Sequence, residues 1–154
     1  MNIFYLSNDP SQCAVYHCDK HVVKMILESV QILSTNHQIE HRNENLYKPT
    51  HKNHPSTIWA RSSKENYQWL LELTQELGAE YTYRYGKTHK SMEKLPILKT
   101  TPEFIPDIPF FQVSQAMPEQ YQHPCSIQAY RDYYVGEKLG ICQYTKRNRP
   151  EWLP

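Results

Sequence analysis

The sequence predicts a mainly α protein, a compact single-domain helical bundle with a short N-terminal extended segment and a proline-rich wrapping segment. Three observations carry that expectation. Two long stretches, 20–37 and 56–85, contain no proline and repeat apolar residues at helical spacing. Helix-start signals recur ahead of such stretches, as at Asn8-Asp9-Pro10, where a capping side chain precedes a proline in the first turn. Six prolines between Lys94 and Pro124 (Pro96, Pro102, Pro106, Pro109, Pro118, Pro124) leave room there for only a turn or two of regular structure. The 154 residues suit one globular domain, since a chain of that size buries roughly 70% of the surface its unfolded form exposes.

The elements follow in order. Asn2 to Leu6 is rich in aromatic and β-branched residues and reads as an extended arm or edge strand. A first helix runs from Pro10 to about Asp19. Lys20 to about His37 is a second helix, or a continuation after a kink. Residues 38–55, polar and holding Pro49 and Pro55, form a long loop of the kind that often carries function. The longest helical stretch follows Pro55 and ends near Gly86; Ser62 and Glu65 resemble a capping box, and Trp69, Leu70, Leu73, Leu77 and Tyr81 recur at helical spacing. Ser126 can cap a final helix through 126–144, and residues from about 145 to 154 form a basic tail.

Charge and composition narrow the function. Seventeen Lys and Arg against sixteen Asp and Glu give +1, so any nucleic-acid site must be a local patch. The N-terminus has no signal-peptide pattern and no stretch approaches about 18 apolar residues, so a cytoplasmic protein without a membrane span is expected. In that compartment Cys13, Cys18, Cys125 and Cys142 are expected as free thiols.

On the second helix, Val22, Val23, Met25, Ile26, Leu27, Val30, Ile32 and Leu33 surround the axis on nearly every side, predicting a helix buried almost all round. His17, His21, Lys24, Glu28 and Gln31 interrupt this pattern at spacings that place them on one face. Such a stripe is either a thin solvent-exposed strip or the wall of an active site, where proximity turns an amine into a nucleophile and a carboxylate into an acid or base. Asp19 and Lys20 could join from the helix start. Cys13, His17 and His21 also share a face, but the first and last lie about 12 Å apart along a helix, too far to hold one zinc ion; no metal or cofactor is expected. His51, Asn53 and His54 precede a helix N-terminus, which favours an anion, although they can equally serve as caps. The run 81–90 alternates tyrosines with Arg84, Lys87, His89 and Lys90, a pattern that fits base stacking with phosphate contact or a solvated helix end. Lys146, Arg147 and Arg149 would extend the same footprint.

The string itself adds to this reading. KMILESVQIL from Lys24 and NHPSTIW from Asn53 resemble the paired signature of proteins grouped with pyrimidine-dimer DNA glycosylases of the endonuclease V type, which are small all-α enzymes. Over nearly its whole length the chain is also similar to small open reading frames of tailed phages, in HCDKHVVKMILES, THKNHP, EYTYRYGKTHKS, QAMPEQY and AYRDYY. That likeness implies a phage setting, with the protein in the host cytoplasm.

The glycosylase resemblance implies cleavage of the N-glycosidic bond of a damaged or modified base, with abasic-site lyase action and DNA as partner. It points to Lys24, Glu28, Gln31, Asn53 and His54. Together with the stripe, it gives Lys24, Glu28, His21 and Asp19 as catalytic candidates and Gln31, His51, Asn53, His54, Trp59 and Arg61 as substrate contacts. Lys48, Lys52, Arg84, Lys87, His89, Lys90, Lys146, Arg147 and Arg149 are the backbone contacts. The resembled enzyme uses the amine of an N-terminal Thr, whereas this chain begins Met-Asn, so Met1, Lys24 or a water activated by Glu28 is the attacking group. A non-catalytic nucleic-acid or nucleotide binder and a metal-dependent hydrolase are the alternatives.

Overall fold

In the computed structural model, which describes residues 1–154, six α-helices and no strand are present. They are α1 (Pro10–Tyr16), α2 (Asp19–His37), α3 (Pro55–Ala60), α4 (Lys64–Tyr85), α5 (Leu95–Leu98) and α6 (Ser126–Tyr133). The predicted mainly α bundle is therefore the observed class. No helix is long and apolar enough to cross a membrane.

The two long helices, α2 and α4, pack on each other, with α1 against α4 and α3 against α2. The apolar face of α2 forms the centre: Val22, Ile26, Val30 and Leu33 are fully buried, opposite Leu70, Leu73 and Leu77 of α4. Ile3 to Leu6 belongs to no strand, yet every one of its residues is buried. Alternation along this extended segment sends Phe4 to one side, stacked 4.3 Å from His21 and edge-on to Tyr134, and Tyr5 to the other, edge-on to Trp69 at 5.1 Å. Fully burying side chains of this size stabilises by about 1.5–3 kcal/mol each, so the start of the chain is pinned in the core.

Several boundaries depart from the sequence reading. The first helix stops at Tyr16, because His17 and Cys18 are extended and Cys18 caps a separate α2. The long stretch after Pro55 is two helices, α3 and α4, broken at Arg61–Ser63. The cap of α4 is Ser63, whose Oγ accepts from Asn66 N, and not Ser62. Glu65, the expected partner in a capping box, instead accepts from Phe110 N at 2.7 Å. With that break, Trp59 and Trp69 are both buried and meet edge to face at 6.3 Å. The final helix ends at Tyr133, and the chain continues as a π-helical turn through Lys138 and a 3₁₀ turn through Ile141. Ser126 does not cap it; its Oγ donates to Val113 O at 2.6 Å. Nor is α2 apolar all round in effect, since Val23 and Leu27 are exposed. Gly86 ends α4 as predicted, in the left-handed conformation at φ 71°. All four cysteines are free.

Candidate functional site

The buried N-terminal segment delivers the α-amine of Met1 to α2. Its nitrogen lies 3.0 Å from Glu28 Oε1, with the Met1 side chain almost fully buried and Glu28 only 13% exposed. The backbone N–H of Asn2 donates to the same oxygen at 3.3 Å. The other carboxylate oxygen lies 3.6 Å from Lys24 Nζ, one turn earlier on α2, whose side chain is largely in solvent. Glu28 thus joins two amines, one anchored and one mobile. An ammonium held this way must lose its proton before it can attack carbon, and the carboxylate beside it is the base within reach.

Residues 51–54, which lead into α3, approach this pair. His54 caps α3: its Nδ1 accepts from Ser56 N at 3.1 Å, so in the neutral ring the proton sits on Nε2. Burial lowers its pKa, the Met1 amine and His51 lower it further, and Glu28 acts in the opposite direction. These charges place His54 in the field of the amine–carboxylate pair. His51 adopts a left-handed backbone at φ 49°, its ring bonded to Thr50 Oγ1 at 2.8 Å. Arg61 fixes this loop from behind, donating to Lys52 O at 2.7 Å and to Asn36 Oδ1 at 3.1 Å. The amide of Asn36, buried on α2, donates to Thr57 O at 2.9 Å, locking α3 to the catalytic-candidate helix. Asn36 was invisible to motif reasoning; its only signal is a buried amide in the last turn of a helix.

The structure brings together Lys24, Glu28, His51 and His54 and leaves Gln31 half-buried one turn beyond Glu28 on α2. Asn53, Lys48 and Lys52 are exposed on the adjoining loop. Other expected positions lie elsewhere. His17 caps the end of α1 rather than riding on α2, and it is fully buried. His21 turns inward, bonding Tyr134 Oη at 2.6 Å under the Phe4 ring. Trp59 is core, its Nε1 donating to Phe111 O at 3.0 Å. Of the expected five-residue stripe, Lys24, Glu28 and Gln31 remain: His17 lies before the break at His17–Cys18, and His21, though in register with the other three on α2, is covered by Phe4 and Tyr134.

Asp19 and Arg84 form a structural knot. Arg84 is buried, and its guanidinium donates to Glu80 Oε2 at 2.7 Å, Asp19 Oδ1 at 3.0 Å, His17 O at 2.9 Å and Val15 O at 3.0 Å. Arg147 closes on Glu80 with two bonds of 2.9 Å. Burial opposes ionisation of Asp19, but bonds from Thr145 and Arg84 outweigh it and hold its carboxyl below the ordinary range. Arg84 and Arg147 are thus committed to joining α1, α2, α4 and the tail, which removes Arg84 from any surface that meets phosphate. Arg149 is also partly engaged, with Cys142 O and Pro154 O. Lys87, Lys90 and Lys146 are exposed, and His89 is half-buried against Tyr81. No group of three or more His, Cys, Asp or Glu side chains converges to hold a metal ion.

A family model described as pyrimidine dimer DNA glycosylase matches residues 1–94, which carry α1 to α4 and the whole amine–carboxylate site. No match was found among curated proteins or among solved structures.

Proposed function

The chain belongs to the pyrimidine dimer DNA glycosylase family, and from that premise we propose that its α-amine releases a damaged or modified pyrimidine from DNA, with abasic-site lyase action following. The observation that supports this is the ammonium–carboxylate pair of Met1 and Glu28 at 3.0 Å on a buried chain start. Glu28 takes a proton from the amine, and the freed nitrogen attacks C1′ of the target nucleotide. The new N–C1′ bond forms as the N-glycosidic bond breaks; the base leaves with the bonding pair and takes the proton from Glu28, which restores the carboxylate. Ring opening, with one proton of the attached nitrogen passing to O4′, gives a protonated imine. Removal of a C2′ proton by Glu28 then expels the 3′ phosphate by β-elimination, and water hydrolyses the imine to free the amine. The carboxylate also stabilises the positive charge that develops on the sugar.

Around that centre, His54 offers an Nε2–H donor to the sugar or phosphate, and Gln31, His51 and Asn53 line the nucleotide's approach. Lys24, Lys48 and Lys52 meet the phosphates. The target or its partner leaves the stack to reach the amine. Should Met1 be removed, the nitrogen of Asn2 already lies 3.3 Å from the same carboxylate oxygen.

Borohydride trapping tests the reading, using duplexes and single strands that carry a thymine dimer, uracil, a hypermodified pyrimidine or an abasic site. The expected result is a covalent adduct mapped by mass spectrometry to the N-terminal peptide. An adduct on Lys24 makes the other amine at Glu28 the nucleophile, and base release without an adduct makes it water. Neither adduct nor base release on any substrate leaves a non-catalytic binder.

A further inference from the structure

Beside the amine–carboxylate site runs a strip that the proposed chemistry does not use. Val23 and Leu27, one turn apart on α2, are 40% and 39% exposed on the side of the helix away from the core. Leu27 precedes Glu28 in the chain, so the strip adjoins the site. Its other bank is the end of α4: Tyr81 and Tyr85 lie 5.2 Å apart, and Tyr81 meets the His89 ring at 5.1 Å. His89 caps the 3₁₀ turn Lys90–Lys94, which packs on α2 and so joins the two banks. Tyr85 is 38% exposed.

The charges around this apolar and aromatic strip have one dominant sign. Lys20 and Lys24 flank it on α2, and Lys87 and Lys90 flank it after α4, all exposed. Asp19 and Glu28, the acids of α2 at this edge, are already paired with Arg84 and the Met1 amine. Exposed ring faces bordered by ammonium groups in solvent, of which only Lys24 has a carboxylate partner, Glu28 at 3.6 Å, are what an unstacked base with flanking phosphates requires. A protein partner of ordinary composition would not call for four lysines around the apolar contact.

We propose that this strip holds an unpaired base, stacked on Tyr85 and backed by Val23 and Leu27, next to the nucleotide at Glu28. The preferred substrate is then DNA whose strand is unpaired beside the lesion. This rests on the glycosylase reading for its polarity along the strand, but its test does not need turnover.

The probes are fluorescein-labelled duplexes bearing a tetrahydrofuran abasic analogue, which an amine cannot open, with the flanking two nucleotides either paired or unpaired. Anisotropy titration of the full chain at fixed salt is expected to give about tenfold tighter binding to the unpaired probe, within the range of one base–aromatic stack. Tyr85→Ala should abolish that preference while leaving affinity for the paired probe near wild type, and Tyr85→Trp should retain it. Lys87→Ala should weaken both probes alike and lower the salt slope by about one. Equal binding of the two probes by the wild-type protein overturns the proposal, as does a preference that survives Tyr85→Ala or is lost equally in Tyr85→Trp. Binding to neither probe also overturns it and points to a protein-docking face. A preference that behaves as expected in a protein showing no base release or trapping leaves the strip standing and removes the glycosylase reading alone.

Discussion

Lowering the pH to 5 is expected to cost the fold about 2 kcal/mol through His17, which the unfolded chain protonates and the folded chain does not. The ring is fully buried; its Nδ1 lies 2.7 Å from Cys13 O, and its Nε2 has no partner. The neutral tautomer with its proton on Nδ1 satisfies this arrangement, whereas a second N–H would have no acceptor. Burial is the main cause of a pKa lowered from 6.5 to about 4; the neighbouring His21 and Arg84 act in the same direction, and the bond to Cys13 O opposes them. The unfolded chain therefore takes up the proton near pH 6.5 while the folded chain resists until about 4. The stabilising difference is present above pH 6.5 and is lost as pH falls, the loss reaching about 3 kcal/mol when both states are protonated. Urea unfolding at pH 7.5 and pH 5 measures it, with His17→Gln as the comparison. The wild type should lose about 2 kcal/mol more than the variant over this interval. Equal losses in the two proteins would refute the assignment of this acid sensitivity to His17.

Three further outcomes are expected. Glu28→Gln should lower turnover by roughly 10²-fold or more while changing DNA affinity little, since an amide cannot take the amine's proton; single-turnover base release alongside anisotropy separates the two effects. One residue added before Met1, checked by intact mass, should abolish borohydride trapping, because the nitrogen at Glu28 becomes an amide and the new amine sits about 3.8 Å further along the chain; undiminished trapping at the new terminus would count against the geometry. Arg84→Leu should destabilise by about 3–5 kcal/mol in thermal or urea unfolding, because Asp19 and the carbonyls of Val15 and His17 lose their buried partner, and a loss below 1 kcal/mol would mean that the knot is not what holds α1, α2 and α4 together.

Much of this protein is written locally in its sequence. Pro10 after Asp9 sets the start of α1, Gly86 ends α4 in the one conformation that favours glycine, and the 3.6-residue rhythm of Val22, Ile26, Val30 and Leu33 marks the buried face of α2. The mainly α class and the Lys24–Glu28–Gln31 line on one face follow from such short-range rules, which act within a turn or two of chain. What lay beyond the sequence is decided by contacts between distant segments. Ser63 and Asn66 break the long helical stretch because the proline-rich segment docks there, with Ser63 Oγ donating to Ile108 O and Phe111 N donating to Asn66 Oδ1. Arg84 sits in a basic, tyrosine-rich run that suggests a surface, yet the Asp19 carboxylate and the carbonyls of Val15 and His17, all from other segments, draw it inside beside Glu80 of its own helix. Val23 and Leu27 look like core from their neighbours alone, and only the packing of α2 leaves them in water. The amine of Met1 has no local reason to meet Glu28 across 27 positions. It does so because Ile3 to Leu6 gain more by burial among α2, α4 and α6 than they lose in chain freedom, and that tertiary choice places the reactive group.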